Sequence, residues 1–267
     1  MIDYEKISAS EVQRLVKQGD KEAMFEMVWR PELMPSGFGN NPVENCAWQD
    51  YWFEKAADAG HIDAKSRYAR SLINRIMNAE DRQKAMRLFE SLVADFDAGR
   101  LGKEEEIDGI LSKMWLGIML CEGYHTQRDA IRGAELIQAA DALTNGFNEF
   151  GFGPLSKIGD VYATGLAQPG EEPSLADLEK AAKYIEKAIR RFKPDKDDPN
   201  NRGYLQLREN MLIEVKTEID NFDGSVTVFA GANERRKKMM EISDAARQRM
   251  EADKAALARL RERMKGW

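Results

Sequence analysis

Apolar positions recur at helical spacing along most of this chain. Between 81 and 99, Ala85, Leu88, Phe89 and Leu92 fall at i, i+3, i+4 and i+7, and Ala181, Tyr184, Ile185 and Ala188 repeat the interval further on. That spacing gathers the apolar side chains on one face of a helix, whereas a half-buried strand alternates every second residue. Prolines stand only at 31, 35, 42, 154, 169, 173, 194 and 199, so neither 43–153 nor the chain after 199 carries a helix breaker. Nine Val and five Thr in 267 residues are few of the β-branched types that furnish strands. The chain reads as all-α.

The helical segments repeat. SKIGDVYATG places Ile158, Gly159, Tyr162 and Gly165 in a frame that SKMWLGIMLCEG repeats with Leu116, Gly117, Leu120 and Gly123, 42 residues earlier. AKSRYARSL sets Tyr68, Ala69 and Leu72 at the same spacing, with Ala69 48 residues before Gly117. A degenerate copy, EAMFEMVWR, brings Met27 and Val28 into frame, Val28 being 41 residues before Ala69. Each copy precedes a second amphipathic segment: AWQDYWFEKAADAGH, DRQKAMRLFESLVADFDAG, RDAIRGAELIQAADALTNG and DLEKAAKYIEKAIRRF. A small residue at 69, 117 or 159 lets a neighbouring helix come close, and the larger residue three positions on fills the space beside that contact. Glycines 123 and 165 stand where a helix would end. One such pair cannot bury its apolar face alone, so pairs stack.

These residues carry a resemblance. The unit A-x-x-x-L-G-x-x-Y-x-x-G followed by D-x-x-x-A-x-x-W-Y-x-x-A-A-x-x-G-H resembles the Sel-one-like repeat, a relative of the tetratricopeptide repeat. WFEKAADAGHIDA (52–64), Leu116–Gly123, Ile158–Gly165, and the pairs Asp81/Ala85 and Asp177/Ala181 carry it over about 19–192. The first unit lacks the glycines of its first helix and has Gln49 at a small-residue position. The second has Arg75 in place of the closing glycine, and the third holds the insert LTNGFNEFGFG, 143–153. The resemblance implies an α–α superhelix (solenoid) of four helix-turn-helix repeats, roughly 19–60, 61–103, 104–150 and 151–192, within a repeat region 1–192. Secreted members resemble rods stapled by paired cysteines in every unit, and this chain lacks those pairs.

Flanking segments complete the reading. Residues 4–18 suit a leading helix with Ser8 or Ser10 as N-cap. After the polar loop KPDKDDPNNRG, residues 202–222 set Leu205, Met211, Leu212, Val215, Ile219 and Phe222 on one face, so 193–222 reads as a loop and a capping helix. In 223–267, DGSVTVFAGA reads as an extended connector ahead of a basic helix that opens with RRKK at 235–238. There Ala246, Met250, Leu257, Leu260, Met264 and Trp267 follow a 4-3 spacing too short for a coiled coil. Three uses stand open for it: docking on the repeats, or mere solvation; binding a partner or a second copy; or contact with nucleic acid or an anionic membrane.

Composition narrows the function classes. The net charge is −6, but the segment 233–267 holds 11 Lys and Arg against 6 Asp and Glu, so a basic end at +5 follows a body at −11. The acidic total argues against wholesale nucleic-acid binding. No run reaches the ~18 apolar residues of a membrane span. MIDYEKISASEVQ has neither the basic nor the apolar region of a secretory signal. Those features, with only two cysteines (46, 121) and two histidines (61, 125), point to a soluble cytoplasmic protein. No metal, cofactor or catalytic group is expected: H-E-x-x-H, C-x-x-C and G-x-S-x-G are absent. Gly37-Phe38-Gly39 and Gly151-Phe152-Gly153 lack the lysine and spacing of a phosphate loop. His61 reads as a turn residue and His125 as solvated. Phe147, Phe150 and Phe152 in the insert would anchor a partner if exposed and seal a junction if buried.

The expectation is therefore a non-enzymatic scaffold or adaptor that binds a protein or peptide segment, the alternative being a nucleic-acid- or membrane-associated regulator using the basic helix. The tetratricopeptide resemblance implies that residues at −3, +1 and +5 from the small position line a concave groove. These are Phe25 and Trp29; Ser66, Arg70 and Asn74; Met114, Ile118 and Glu122; and Ser156, Asp160 and Thr164. Such a surface, apolar at one end and polar at the other, suits a segment with a single hydrophobic anchor.

Overall fold

The computed structural model describes residues 2–4, 6–36, 38–39, 41–74, 79–123, 126–144, 153–163, 173–192, 199–223 and 244–265. Arg75, His125, Phe147, Phe150, Phe152, Thr164, Gly165, the SVTVF connector, RRKK and Trp267 lie outside these residues. Among the described residues the elements are all helical, and local chemistry accounts for where several of them start. α1 (Ala9–Lys17) begins at Ser8, whose Oγ accepts from the Glu11 N–H at 3.3 Å. α2 (Lys21–Glu26) begins at Asp20, which accepts from Ala23 N–H at 2.9 Å. The sequence suggests that this helix runs on through Arg30. Instead it tightens into 3₁₀ turns at Met27–Trp29 and Pro31–Leu33. Pro31 has no N–H to give and holds Arg30 away from the helical region, which ends the α-helix early.

α3 (Pro42–Asp58) starts with Asn41 as cap and Pro42 in its first turn, where a missing N–H costs nothing. It closes at Gly60, whose φ of +87° lets His61 N–H reach back to the Ala56 carbonyl at 2.9 Å. The chain then turns straight into α4 (Ile62–Asn74), followed by α5 (Ala79–Asp97), α6 (Glu106–Glu122), α7 (Ala130–Thr144) and α8 (Gly153–Ala163). α9 (Leu175–Arg191) opens with a reciprocal capping box between Ser174 and Asp177. α10 (Pro199–Asp220) and α11 (Asp244–Arg263) complete the described helices.

The helices gather into two compact units, one of Met1–Gly109 with Ile242–Trp267, the other of Ile110–Glu241. Within each, successive helical hairpins pack side by side, the α-solenoid manner of building a core. In the first unit, Trp48, Met27, Phe89 and Leu92 are fully buried, and the Trp48 indole N–H donates to the Met27 carbonyl at 2.8 Å. That bond pins α3 to the 3₁₀ turn that carries Trp29. α11 returns to this unit and lies on α3, with Ala256, Leu260 and Met264 buried. Of the uses open to the basic helix, docking is the one observed. Its buried stripe includes Ala256 and leaves Leu257 half-exposed, one position off the 4-3 reading.

In the second unit, α6 and α7 meet through facing glycines. A Cβ on Gly117 would lie 2.6 Å from the Gly133 carbonyl oxygen, and one on Gly133 would lie 2.6 Å from Cys121 Sγ. α8 approaches α9 at Gly159, against Ile185. α10 then lays Met211, Leu212, Val215 and Ile219, with Phe222 just after it, over Leu178, Ala181, Ala182 and Ile185, covering apolar surface that α9 would otherwise expose. Arg191 of α9 donates to both oxygens of the buried Asp141 of α7, at 2.7 and 2.8 Å, with Lys187 beside them at 3.4 Å.

Candidate functional site

The most structured exposed surface among the described residues lies in the first unit, around Trp29. Phe25 and Trp29 are four residues apart, so α2 and the 3₁₀ turn after it direct both to one side. Their rings meet edge to face at 6.3 Å, and Phe53 of α3 approaches them at 6.1 and 6.2 Å. His61, at the α3–α4 turn, stacks on Phe25 with centroids 4.2 Å apart. Its Nδ1 accepts the Ala64 N–H at 3.1 Å and so caps α4, which leaves the proton on Nε2 to be donated to Glu22 at 3.1 Å. The turn role read for His61 is thus a helix cap that also orders an aromatic cluster.

Arg67 completes the cluster from α4. Its guanidinium lies 5.9 Å from the Phe25 ring centre and 5.8 Å from that of Trp29, and Asp63 one turn earlier holds it at 2.6 Å. Cation–π attraction at such a site contributes about 0.5–1 kcal/mol, and the aromatic pairs about as much each. The result is an indole fixed by Phe25, Phe53 and Arg67 while 49% of its surface stays open. A large apolar group held in place yet exposed has already lost the rotamer freedom that binding would remove.

Along α4 the surface turns polar. Ser66 is buried, Arg70 half-buried, and Asp108 of α6 is 8% exposed beside them. Burial first, and the Asp63 carboxylate second, push the Asp108 carboxyl above its ordinary range, against the opposing influence of Ser66, Arg67 and Arg70. Asn74 lies in α4, and its side chain is outside the described residues.

The remaining groove positions belong to the second unit. Met114 is buried in a cluster with Leu111 and Ala140, and Ile118 is half-buried against it. Glu122 is half-buried at the end of α6. Asp160 of α8 forms an ion pair with Arg208 of α10. Ser156 lies in α8 with its side chain undescribed. The structure therefore joins Phe25 to Trp29 in one cluster, sets Ser66 and Arg70 beside Asp108, and uses Met114 and Asp160 for internal contacts. Phe53, His61 and Arg67 are members that the groove positions do not include. The signal for Arg67 was the i, i+4 pair with Asp63, which orients a guanidinium along a helix face. Among the described residues no group of three or more His, Cys, Asp or Glu is arranged to hold a metal ion, and no helix is long and apolar enough to cross a membrane.

No protein-family model matches the chain, and no curated protein does. Among solved structures it is similar to a protective antigen present in uropathogenic Escherichia coli strains that displays an SLR fold, at 15% identity and a TM-score of 0.49. The likeness covers 95% of this chain and 43% of that one, so the chain spans less than half the length of that structure.

Proposed function

We propose that the protein is a non-enzymatic scaffold that holds a segment of a protein partner against the surface around Trp29. The observation that carries this reading is an indole 49% exposed and yet fixed between two phenyl rings and a guanidinium. Tryptophan and arginine are the residue types most often decisive in interfaces. An apolar side chain of the partner would lie on Trp29 and Phe25, and polar groups beside it would meet Asp63, Arg67 and Arg70 along α4. Neither cysteine is in a disulfide, with Cys46 exposed and Cys121 buried, which suits a reducing compartment such as the cytoplasm. The alternative, a basic helix that meets nucleic acid or a membrane, has less charge to offer. Arg261 and Arg259 face Glu54 and Glu44 of α3, and Arg263 donates to the Ser36 carbonyl.

The test uses the full chain. Peptides selected on it from a random display library should bind Trp29→Ala at least about 30-fold more weakly, the roughly 2 kcal/mol of an interface hot spot. The variant's melting temperature should fall little, because half of the side chain is already in water. Arg67→Glu should weaken the same peptides. Equal affinity for wild type and both variants would place the binding surface elsewhere.

A further inference from the structure

His61 joins three elements through one ring. It immediately precedes α4, whose Ala64 N–H donates to its Nδ1 at 3.1 Å. Its Nε2 donates to Glu22 of α2 at 3.1 Å, and its face stacks on Phe25 with centroids 4.2 Å apart. Phe25 in turn meets the Trp29 ring edge to face. The imidazole is thus a wedge between the start of α4 and the cluster that fixes the exposed indole. At 8% exposure it has little room to turn in place.

A second proton changes what this ring can do. Nδ1 gains an N–H and can no longer accept, so its own donor and that of Ala64 point at each other across 3.1 Å. The new charge also sits at the N-terminus of α4, the positive end of the helix dipole. Glu22 of α2 and Asp63 of α4 favour the cation, but both are partly open to water, and Asp63 already holds Arg67 at 2.6 Å. Lys21 of α2, which donates to the neighbouring Gly60 carbonyl at 3.3 Å, opposes it, as does Arg67, 5.9 Å from the Phe25 ring centre. The other charges are engaged elsewhere: Glu26 with Arg30, Lys65 with Ser91, and on α3 Lys55 over the Tyr51 ring and Glu54 with Lys84 and Arg261. α3 meets the residue through the Ala56 carbonyl, which accepts the His61 backbone N–H, and its Asp58 is exposed. Contact with Glu22 therefore survives protonation, and the cap on α4 does not.

We propose that His61 is a proton-operated latch on the Trp29 surface. Neutral, it caps α4 and braces Phe25; protonated, it leaves both, and Trp29 loses its fixed setting. Weaker capture of a partner in acid then follows if Trp29 seats that partner, as proposed above. The movement of the ring does not depend on that seat.

The experiment titrates the full-length chain by NMR from about pH 7.5 to 5, the range histidine serves, with His125→Gln leaving His61 as the single imidazole. The ring-proton NOEs between His61 and Phe25 should vanish as His61 titrates. The Ala64 amide and the Trp29 indole N–H, the latter assigned by its loss in Trp29→Phe, should move with the same midpoint. In His61→Asn, which caps a helix without titrating, both signals should stay in place. Peptides selected on the chain and free of Asp, Glu and His should bind about tenfold more weakly at the acid end, the cost of ordering one large side chain again. NOEs that persist once His61 has titrated would overturn the proposal, and so would a peptide that needs Trp29 yet binds equally at both ends. Should no selected peptide depend on Trp29, the partner seat is refuted and the NOEs alone decide the latch. They need no change at position 61, so the test stands even where His61→Asn does not fold.

Discussion

Asp108 shows how much one side chain's surroundings can set. It stands in the first turn of α6, almost wholly buried, with the Asp63 carboxylate near it and Arg67 and Arg70 only partly offsetting both. The folded protein therefore keeps this proton to a higher pH than the unfolded chain does. Between those two values folding takes up a proton, so stability is fully present below the unfolded carboxylate's pKa of about 4 and falls as pH rises through the folded one. Asp108→Asn keeps the shape and cannot titrate. Its melting temperature relative to wild type should therefore move in the variant's favour as pH is raised from about 3.5 to 7. A gap that does not change with pH in scanning calorimetry would contradict this. At the same scale, Trp29 and Phe25 could be singled out from the chain, but their neighbours could not. Phe53 looks like any buried helix residue and His61 like any turn residue. What joins them is the packing of α3 and the turn after it against the 3₁₀ turn at Met27–Trp29, and no local pattern encodes that packing.

Helix pairs are the next level, and here the pattern of small residues was informative. Gly117 and Gly159 stood out as positions of close approach, and both lie where a Cβ would collide with the neighbouring helix. Gly133, which answers Gly117 from α7, did not stand out, because periodicity marks a buried face without naming what lies opposite. The two sides make a sharp comparison. In Gly117→Ala the new methyl meets a backbone oxygen at 2.6 Å and Ile137 Cγ1 at 2.7 Å, and backbone cannot step aside. Overpacking of about 1–3 kcal/mol should outweigh the helix-propensity gain of about 1 kcal/mol, for a net loss of up to roughly 2 kcal/mol in urea unfolding. Gly203→Ala in α10 meets nothing within 4 Å and should gain about 0.5–1 kcal/mol. Ser174→Ala removes half of the capping box that starts α9 and should cost about 1 kcal/mol. If both glycine variants shift stability in the same direction, propensity rather than approach distance governs these sites.

At the scale of the whole molecule, one described helix packs on an element far from it in sequence: α11 lies on α3. A helix in the last tenth of the chain could be foreseen, since its composition favours nothing else, but its place on α3 could not. The residues it meets, Glu44 and Glu54, lie some two hundred positions earlier, and a stripe of three apolar residues fits many surfaces. The charge asymmetry was the nearest hint, because a basic helix after an acidic body has somewhere to go. What the asymmetry left open was whether attraction or packing holds the helix, and the structure points to packing. Arg259, Arg261 and Arg263 stand at a largely exposed rim, where ion pairs contribute at most about 1 kcal/mol each. Leu260 is fully buried between the two helices. Leu260→Ala should therefore cost about 2–5 kcal/mol, the range for a buried leucine. The loss should be local in its first effect: amide exchange should rise together in α11 and in α3 along 42–58, since each helix buries its stripe against the other. Raising the salt concentration on wild type should do far less, because screening acts on the rim and not on the strip. If salt instead loosened α11 as much as Leu260→Ala does, the arginines would be the true fastening and the apolar stripe only its guide.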